Sequence, residues 1–352
     1  METTGWRLRT KELREWLGRL LQDGKRVIAP VERDGLRLFR PVTSADEVDL
    51  DPGKTRWSPK EFLFPRTEPL YSYTLRPDGP QLHDPPLTEQ EQVLVGVRCC
   101  DAAGLVRLDQ VFLEGKVQDP LYARRRASTT IVAFACHEAQ PECFCTAVGG
   151  SPMGTEGVDL LVVPFGAYWL VRPVTVKGRA LAAAEWTPSS PHHWSLAEEQ
   201  AERVAEKIAR SPVAEDRAAV LEGNFDSPVW HEVAERCLSC SICAYVCPSC
   251  SCFDVHHEGN AWGGREIRCW DACTYAQFTL HASGHNPRGG PDARYRQRAL
   301  HKFAYLSPGD DDVIRCVGCG RCIALCPVGI DIHDAVRRVA AAAREGDANG
   351  RG

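Results

Sequence analysis

Two stretches, Cys237–Pro248 (CLSCSICAYVCP) and Cys316–Pro327 (CVGCGRCIALCP), repeat one grammar: three cysteines two residues apart, a fourth after three more, then proline. This spacing is that of a [4Fe–4S] ligand run. Three closely spaced thiolates wrap one face of a cubane, and the fourth, held off by its proline, reaches the other cluster in two-cluster ferredoxins. The pattern therefore predicts one cluster on Cys237, Cys240, Cys243 and Cys326, and a second on Cys316, Cys319, Cys322 and Cys247. Zinc also favours Cys-x2-Cys pairs, but its ribbons separate two pairs by a long loop and do not end in Cys-Pro. A zinc-stabilised interaction protein is the alternative that a colourless, iron-free preparation would support.

Outward from these runs, the composition fits a soluble globular protein. The chain has 352 residues with 43% apolar and 25% charged, a formal charge of −5, and 17 cysteines. Such a length allows more than one domain, and an odd number of thiols argues against a disulfide framework. The absence of a basic excess gives no reason to expect nucleic acid. The longest apolar stretch, Leu160 to Val171, contains Pro164 and is too short to cross a bilayer. Met1 to Leu13 lacks the apolar core of a secretory signal, so cytoplasm is expected.

The first 225 residues read as a mixed α/β domain. Lys11 to Leu21 carries a helical apolar stripe, and Arg26–Ala29 and Leu36–Phe39 read as strands around an Asp34-Gly35 turn. Val93–Val97, Thr130–Ala135 and Asp159–Val163 are the β-rich runs of a central sheet, with a helix over Ala102–Val111. Leu50 to Pro86 is expected to be irregular because prolines recur in it. Ser195 with Glu198 reads as a capping box. Arg124-Arg125-Arg126 reads as a solvated helix end.

Residues 226–345 are expected to form a mainly helical ferredoxin-like domain around the two clusters, enlarged by the long interval between the runs. Few β-branched runs there suggest a sheet. Asp331 caps a last helix, and 346–352 should fray.

A third constellation lies in the first domain. Cys99-Cys100-Asp101 follows one predicted strand, and Cys136-x6-Cys143-x-Cys145 follows the next. Strand ends are where open α/β sheets build sites, so Cys100, Cys136, Cys143 and Cys145 could surround a third cluster, with Asp101 as an oxygen ligand in place of a thiol. Buried unligated cysteines are the alternative. Cys99, Cys250, Cys252, Cys269 and Cys273 remain unassigned, and packing is their commoner fate. His281, His285 and His301 read as structural. Gly318 and Gly320 suit a close backbone approach, and Arg321 reads either as a charge near a cluster or as a solvated side chain. Gly53-Lys54-Thr55 lacks the glycine of a phosphate loop, Val48 standing there, and Gly149–Gly154 is no dinucleotide fingerprint.

Four further segments, Gly96–Gly115, Cys136–Val162, Cys247–Val255 and His281–Arg288, together with the two runs, resemble the beta subunits of cytoplasmic NAD(P)-linked [NiFe] hydrogenases, or sulfhydrogenases, and the related iron–sulfur subunit of anaerobic sulfite reductase. That family typically has proline where Cys99 stands. The resemblance implies an electron-transfer subunit, not catalytic alone. It would lie between [NiFe] hydrogenase small and large subunits, or a sulfite reductase catalytic subunit, and an FAD-bearing NAD(P) reductase subunit, with no FAD or NAD(P) on this chain. A stand-alone sulfur-reducing redox protein is the reading from a different class.

Overall fold

The computed structural model describes residues 5–51, 53–85, 90–183, 185–208, 210–305 and 313–349. Along the chain, β1 (Trp6–Arg9) leads into α1 (Thr10–Gln22), then come β2 (Arg26–Arg33) and β3 (Leu36–Pro41), β4 (Thr67–Arg76) and β5 (Gly79–His83). Next are β6 (Gln92–Arg98), α2 (Cys99–Phe112), α3 (Pro120–Ala127), β7 (Thr129–Phe134), β8 (Leu160–Phe165), β9 (Tyr168–Pro173), α4 (Val176–Ala180), β10 (Thr187–Pro188) and α5 (Pro191–Glu206). The remainder holds α6 (Arg217–Gly223), α7 (Val229–Ala234), α8 (Ile242–Tyr245), β11 (Phe253–Asn260), β12 (Gly263–Trp270), α9 (Pro291–Phe303), α10 (Arg321–Ala324) and α11 (Ile332–Asn349).

The main sheet runs β10-β1-β9-β8-β7-β6-β2-β3. Its centre is parallel, β2 to β6 to β7 to β8, and its flanks are antiparallel. Central strands covered on both faces must be apolar throughout, and Val93–Val97, Ile131–Phe134 and Leu160–Val163 are. Side chains alternate between two cores. Val93, Val95, Val132 and Leu160 meet Leu13, Trp16 and Leu17 of α1 on one face, while Leu94, Val97, Ile131 and Leu161 meet Leu105 and Leu108 of α2 on the other. A bulge at Gly96, where φ is +72° and an added Cβ would lie 2.8 Å from Pro30, shifts the register and aims the strand's end at α2.

A second, antiparallel sheet runs β11-β12-β4-β5. Its strands come from two distant parts of the chain, and two expectations are corrected by it. The proline-rich region is regular over Thr67–His83, because Pro80 lies on the edge strand β5 and Pro69 sits opposite Ile267 where the β4–β12 register shifts. Its last residue, Pro86, lies outside the described residues. The interval between the cysteine runs builds a hairpin, so residues 226–345 combine helices with two strands. The buried Arg268 of β12 pairs with Glu68 of β4 and with Asp119, the N-cap of α3.

Two local readings also change. Helix α5 begins at Ser190, which caps it together with His193 ahead of Pro191; Ser195 lies inside the helix. Arg125 is bound to Glu68 and Leu63 O, and Arg126 to Asp109, so only Arg124 of that trio is exposed. Asp331 accepts from His333 N and Asp334 N at the start of α11. That helix continues to Asn349; 350–352, like Met1–Thr4, lie outside the described residues. No helix among the described residues is long and apolar enough to cross a membrane.

Candidate metal centres

The first cysteine run curls through α8 around a cavity lined by Cys237, Cys240, Cys243 and, from the second run, Cys326. Thr274, Tyr295 and Arg298 close it, and no carboxylate is among its lining residues. An all-sulfur donor set of this kind fits a thiolate-bound cluster. Cys316, Cys319, Cys322 and Cys247 lie within electrostatic reach of one another. The fourth cysteine of each run thus stands with the first three of the other.

The turns that hold these thiols share one backbone geometry. Ser239 and Ser241 have φ of +51° and +61°, and the residues in the same places of the second run, Gly318 and Gly320, have +62° and +73°. The run demands left-handed backbone at both places, and neighbours decide which residue supplies it. Ser239 Oγ accepts from Arg294 at 3.1 Å and Ser241 Oγ meets Thr274 Oγ1 at 2.8 Å. In the second run there is no room for a side chain. A Cβ on Gly318 would lie 2.5 Å from backbone atoms of Phe144 and Cys145, and one on Gly320 would collide with Glu142 O.

That close approach delivers the third set of thiols. Phe144 N donates to Gly318 O at 2.9 Å, and Phe144 joins the core formed by α7, α9 and α11. Cys100, Cys136, Cys143 and Cys145 line one cavity together with Lys54, Arg98 and Cys319. Lys54 Nζ lies 3.4 Å from Cys143 Sγ, and Arg98 bonds to Cys136. Cys99 does not line this cavity; it is buried beside it and its thiol donates to Pro152 O at 3.5 Å.

Asp101 and Arg321 need correction. Asp101 is wholly buried, and its carboxylate is taken by the guanidinium of Arg321, with Nη2–Oδ2 at 2.7 Å and a second bond from Nη1 to Oδ1. It is engaged as a counter-ion and offers no oxygen ligand. Arg321, 1% exposed, is not solvated; it also donates to Thr55 O and Thr55 Oγ1. The Gly53–Thr55 segment therefore lies between the two cysteine regions.

The three sets stand in a row. Cys100 of the third acts on Cys319 of the second, and Arg298 lies among Cys243 of the first and Cys322 and Cys247 of the second. Burial pushes the unligated thiols up, to about 12 for Cys145 and Cys316 and well above the usual value for Cys322. These thiols become thiolates when a positive iron centre takes the proton's place.

Sequence reading missed the buried cations. Arg294, Arg298 and Lys302 form a stripe at four-residue spacing on α9, and all three are buried. Lys60 joins Lys302 and Arg298 near Cys250. Burial lowers Lys60 to about 8, whereas at Lys302 the cost of burial is outweighed by Cys247 and Cys250, which raise it. The four-residue spacing in DARYRQRALHK is the signal that could have found them; charged residues on a helix usually read as its wet face.

His301, next to this stripe, is held down to about 4 by burial and by Arg315, Lys302 and Arg288. The unfolded chain binds a proton below about 6.5 that the folded chain refuses, so stability is lost as pH falls from 6.5 through 4. His301→Asn should flatten urea midpoints across that window, by on the order of 1–2 kcal/mol after screening.

Taken together, the paired runs and their exchanged fourth cysteines define an iron–sulfur protein of the dicluster class, and residues 236–330 match the family model "4Fe-4S dicluster domain". The chain is also 31% identical over 333 residues to sulfhydrogenase 2 subunit beta of Pyrococcus furiosus, covering 92% of this chain and 95% of that protein. The chain belongs to the family of that beta subunit, as an iron–sulfur electron-transfer protein. No solved structure matches it.

Proposed function

We propose that the chain carries three [4Fe–4S] clusters and relays electrons between a [NiFe] hydrogenase module and an FAD-containing NAD(P) reductase subunit in the cytoplasm. The first cluster is held by Cys237, Cys240, Cys243 and Cys326, the second by Cys316, Cys319, Cys322 and Cys247, and the third by Cys100, Cys136, Cys143 and Cys145. The observation that carries the reading is the row of thiol sets, each in reach of the next. A [4Fe–4S] cluster supplies a one-electron couple whose potential responds to charge, hydrogen bonds and exposure.

The protein's own part is to space the sites, exclude water and place charge. Lys54 and Arg98 at the third set, and Arg298 and Lys302 at the second, favour the more negative state that an added electron creates. The first set reaches the surface. Cys240 is exposed, and the apolar Leu238 and Ile242 beside it are exposed as well, which suits docking of a partner at that end. The relative is by name one subunit of a sulfhydrogenase, which supports partner subunits here.

Anaerobic iron and sulfide analysis with electron paramagnetic resonance tests the proposal. About twelve irons per chain are expected, and about eight would overturn the third cluster. Cys143→Ser should lose one signal only, whereas Cys319→Ser should disturb the carboxyl-terminal pair. The chains that copurify identify the complex: a [NiFe] catalytic subunit supports the hydrogenase relay, and a sulfite reductase catalytic subunit replaces it.

A further inference from the structure

Five cysteines lie outside the three proposed sets, and the structure separates them. Cys99 is bonded to Pro152 O and Cys269 faces Thr67 across the small sheet at 3.7 Å. The other three, Cys250, Cys252 and Cys273, form a connected sulfur group. Cys273 hydrogen-bonds to the Cys252 sulfur, Cys250 lies within electrostatic reach of Cys273, and Cys250 is itself hydrogen-bonded to Cys247 of the second set. Cys252 leads into β11 and Cys273 follows β12, so the end of the hairpin brings the pair together, with Asp271 N donating to Cys252 O at 3.1 Å.

The surroundings are not those of thiols that merely fill space. Arg298 Nη1 lies 3.5 Å from Cys250 Sγ, Lys60 Nζ donates to Cys250 O at 3.0 Å, and Lys302 Nζ donates to Ser249 O at 3.0 Å. All three cations are buried, and their hydrogen bonds run to carbonyls, a hydroxyl and sulfur. Buried positive charge without a carboxylate calls for another anion, and sulfur is the acid at hand. Nor does the group resemble the cluster sets, whose thiols stand apart around cavities, whereas Cys252 and Cys273 touch.

We propose that Cys252 and Cys273 form a redox-active dithiol, a two-electron store coupled to the second iron–sulfur site through Cys250. On oxidation the two S–H bonds break and one S–S bond forms. Two protons leave to solvent, and two electrons pass to one-electron acceptors of the iron–sulfur class. Reduction reverses each change. The store would let a chain of single-electron centres meet a two-electron partner. Only the identity of the electron acceptor rests on the three-cluster reading.

The test uses the full chain loaded with iron and sulfide. Samples poised with excess oxidised dye or with dithionite are quenched in acid, which halts thiol exchange, then blocked with maleimide and mapped by mass spectrometry. The expected result is a Cys252–Cys273 disulfide in the oxidised sample and both thiols labelled in the reduced one. Reductive titration should take up about two electrons more per wild-type chain than per Cys273→Ser chain, with iron content and cluster signals equal in both. Cys252→Ser should behave alike. Both thiols labelled in the oxidised sample overturns the proposal, and so does loss of iron in either variant, which would make them cluster ligands. Iron analysis reads the cluster number separately, so failure of one reading does not mask the other.

Discussion

Replacing Arg321 by alanine should cost about 3–5 kcal/mol of unfolding free energy, because Asp101 would be left charged and unpaired in the interior. The pair joins opposite ends of the chain: Asp101 follows Cys100, and Arg321 precedes Cys322. Asp101→Asn should be damaging for the converse reason. Removing both charges, as Arg321→Met with Asp101→Leu, should recover most of the loss, since well-packed apolar residues often replace a buried ion pair without penalty. Urea unfolding under anaerobic conditions measures the cycle. If Arg321→Ala were as stable as the wild type, the buried clasp would be wrong.

Gly318→Ala should have the second large effect. The position has φ of +62°, costing an alanine about 1–2 kcal/mol, and the new Cβ would stand 2.5 Å from backbone atoms of Phe144 and Cys145. The loop carrying Cys143 and Cys145 must then move away from the second run. Iron should fall from about twelve to about eight per chain, with the first cluster's signal kept. Ser239→Ala provides the control. It has the same left-handed backbone in the first run, loses the Arg294 bond at a cost of about 1 kcal/mol, and should keep its iron. Equal iron in Gly318→Ala and wild type would contradict the close approach.

What could be read from the sequence depended on whether a residue's partner lay nearby in the chain. The parallel centre of the main sheet was legible because both faces are covered, which leaves unbroken apolar runs at Val93–Val97 and Leu160–Val163. The cysteine grammar was legible for a chemical reason, since ligand spacing is local. The small sheet was not. Strand β11 is largely exposed and shows no apolar alternation, and the prolines near β4 and β5 sit at a register shift and an edge, where they do no harm. Asp101 could be named as a charged residue beside a thiol, but nothing local shows that Arg321 would arrive to claim it. The buried stripe on α9 was hidden in the same way, because its anionic surroundings come from segments far along the chain.

The split origin of the small sheet has a consequence for how the protein is made. Strand β4 is synthesised long before β12, with Glu68 and its partner Arg268 separated by 200 residues. At ordinary translation rates that gap lasts about 10–40 s. Throughout it one edge of β4 stands open, and the thiols of Cys100, Cys136, Cys143 and Cys145 have emerged before Gly318 can close over them. Newborn chains are therefore vulnerable to edge-to-edge pairing and to oxidation in that interval. Slower synthesis at lower temperature lengthens the wait, so yield should depend more on chaperones and on anaerobic growth than on slowing the ribosome.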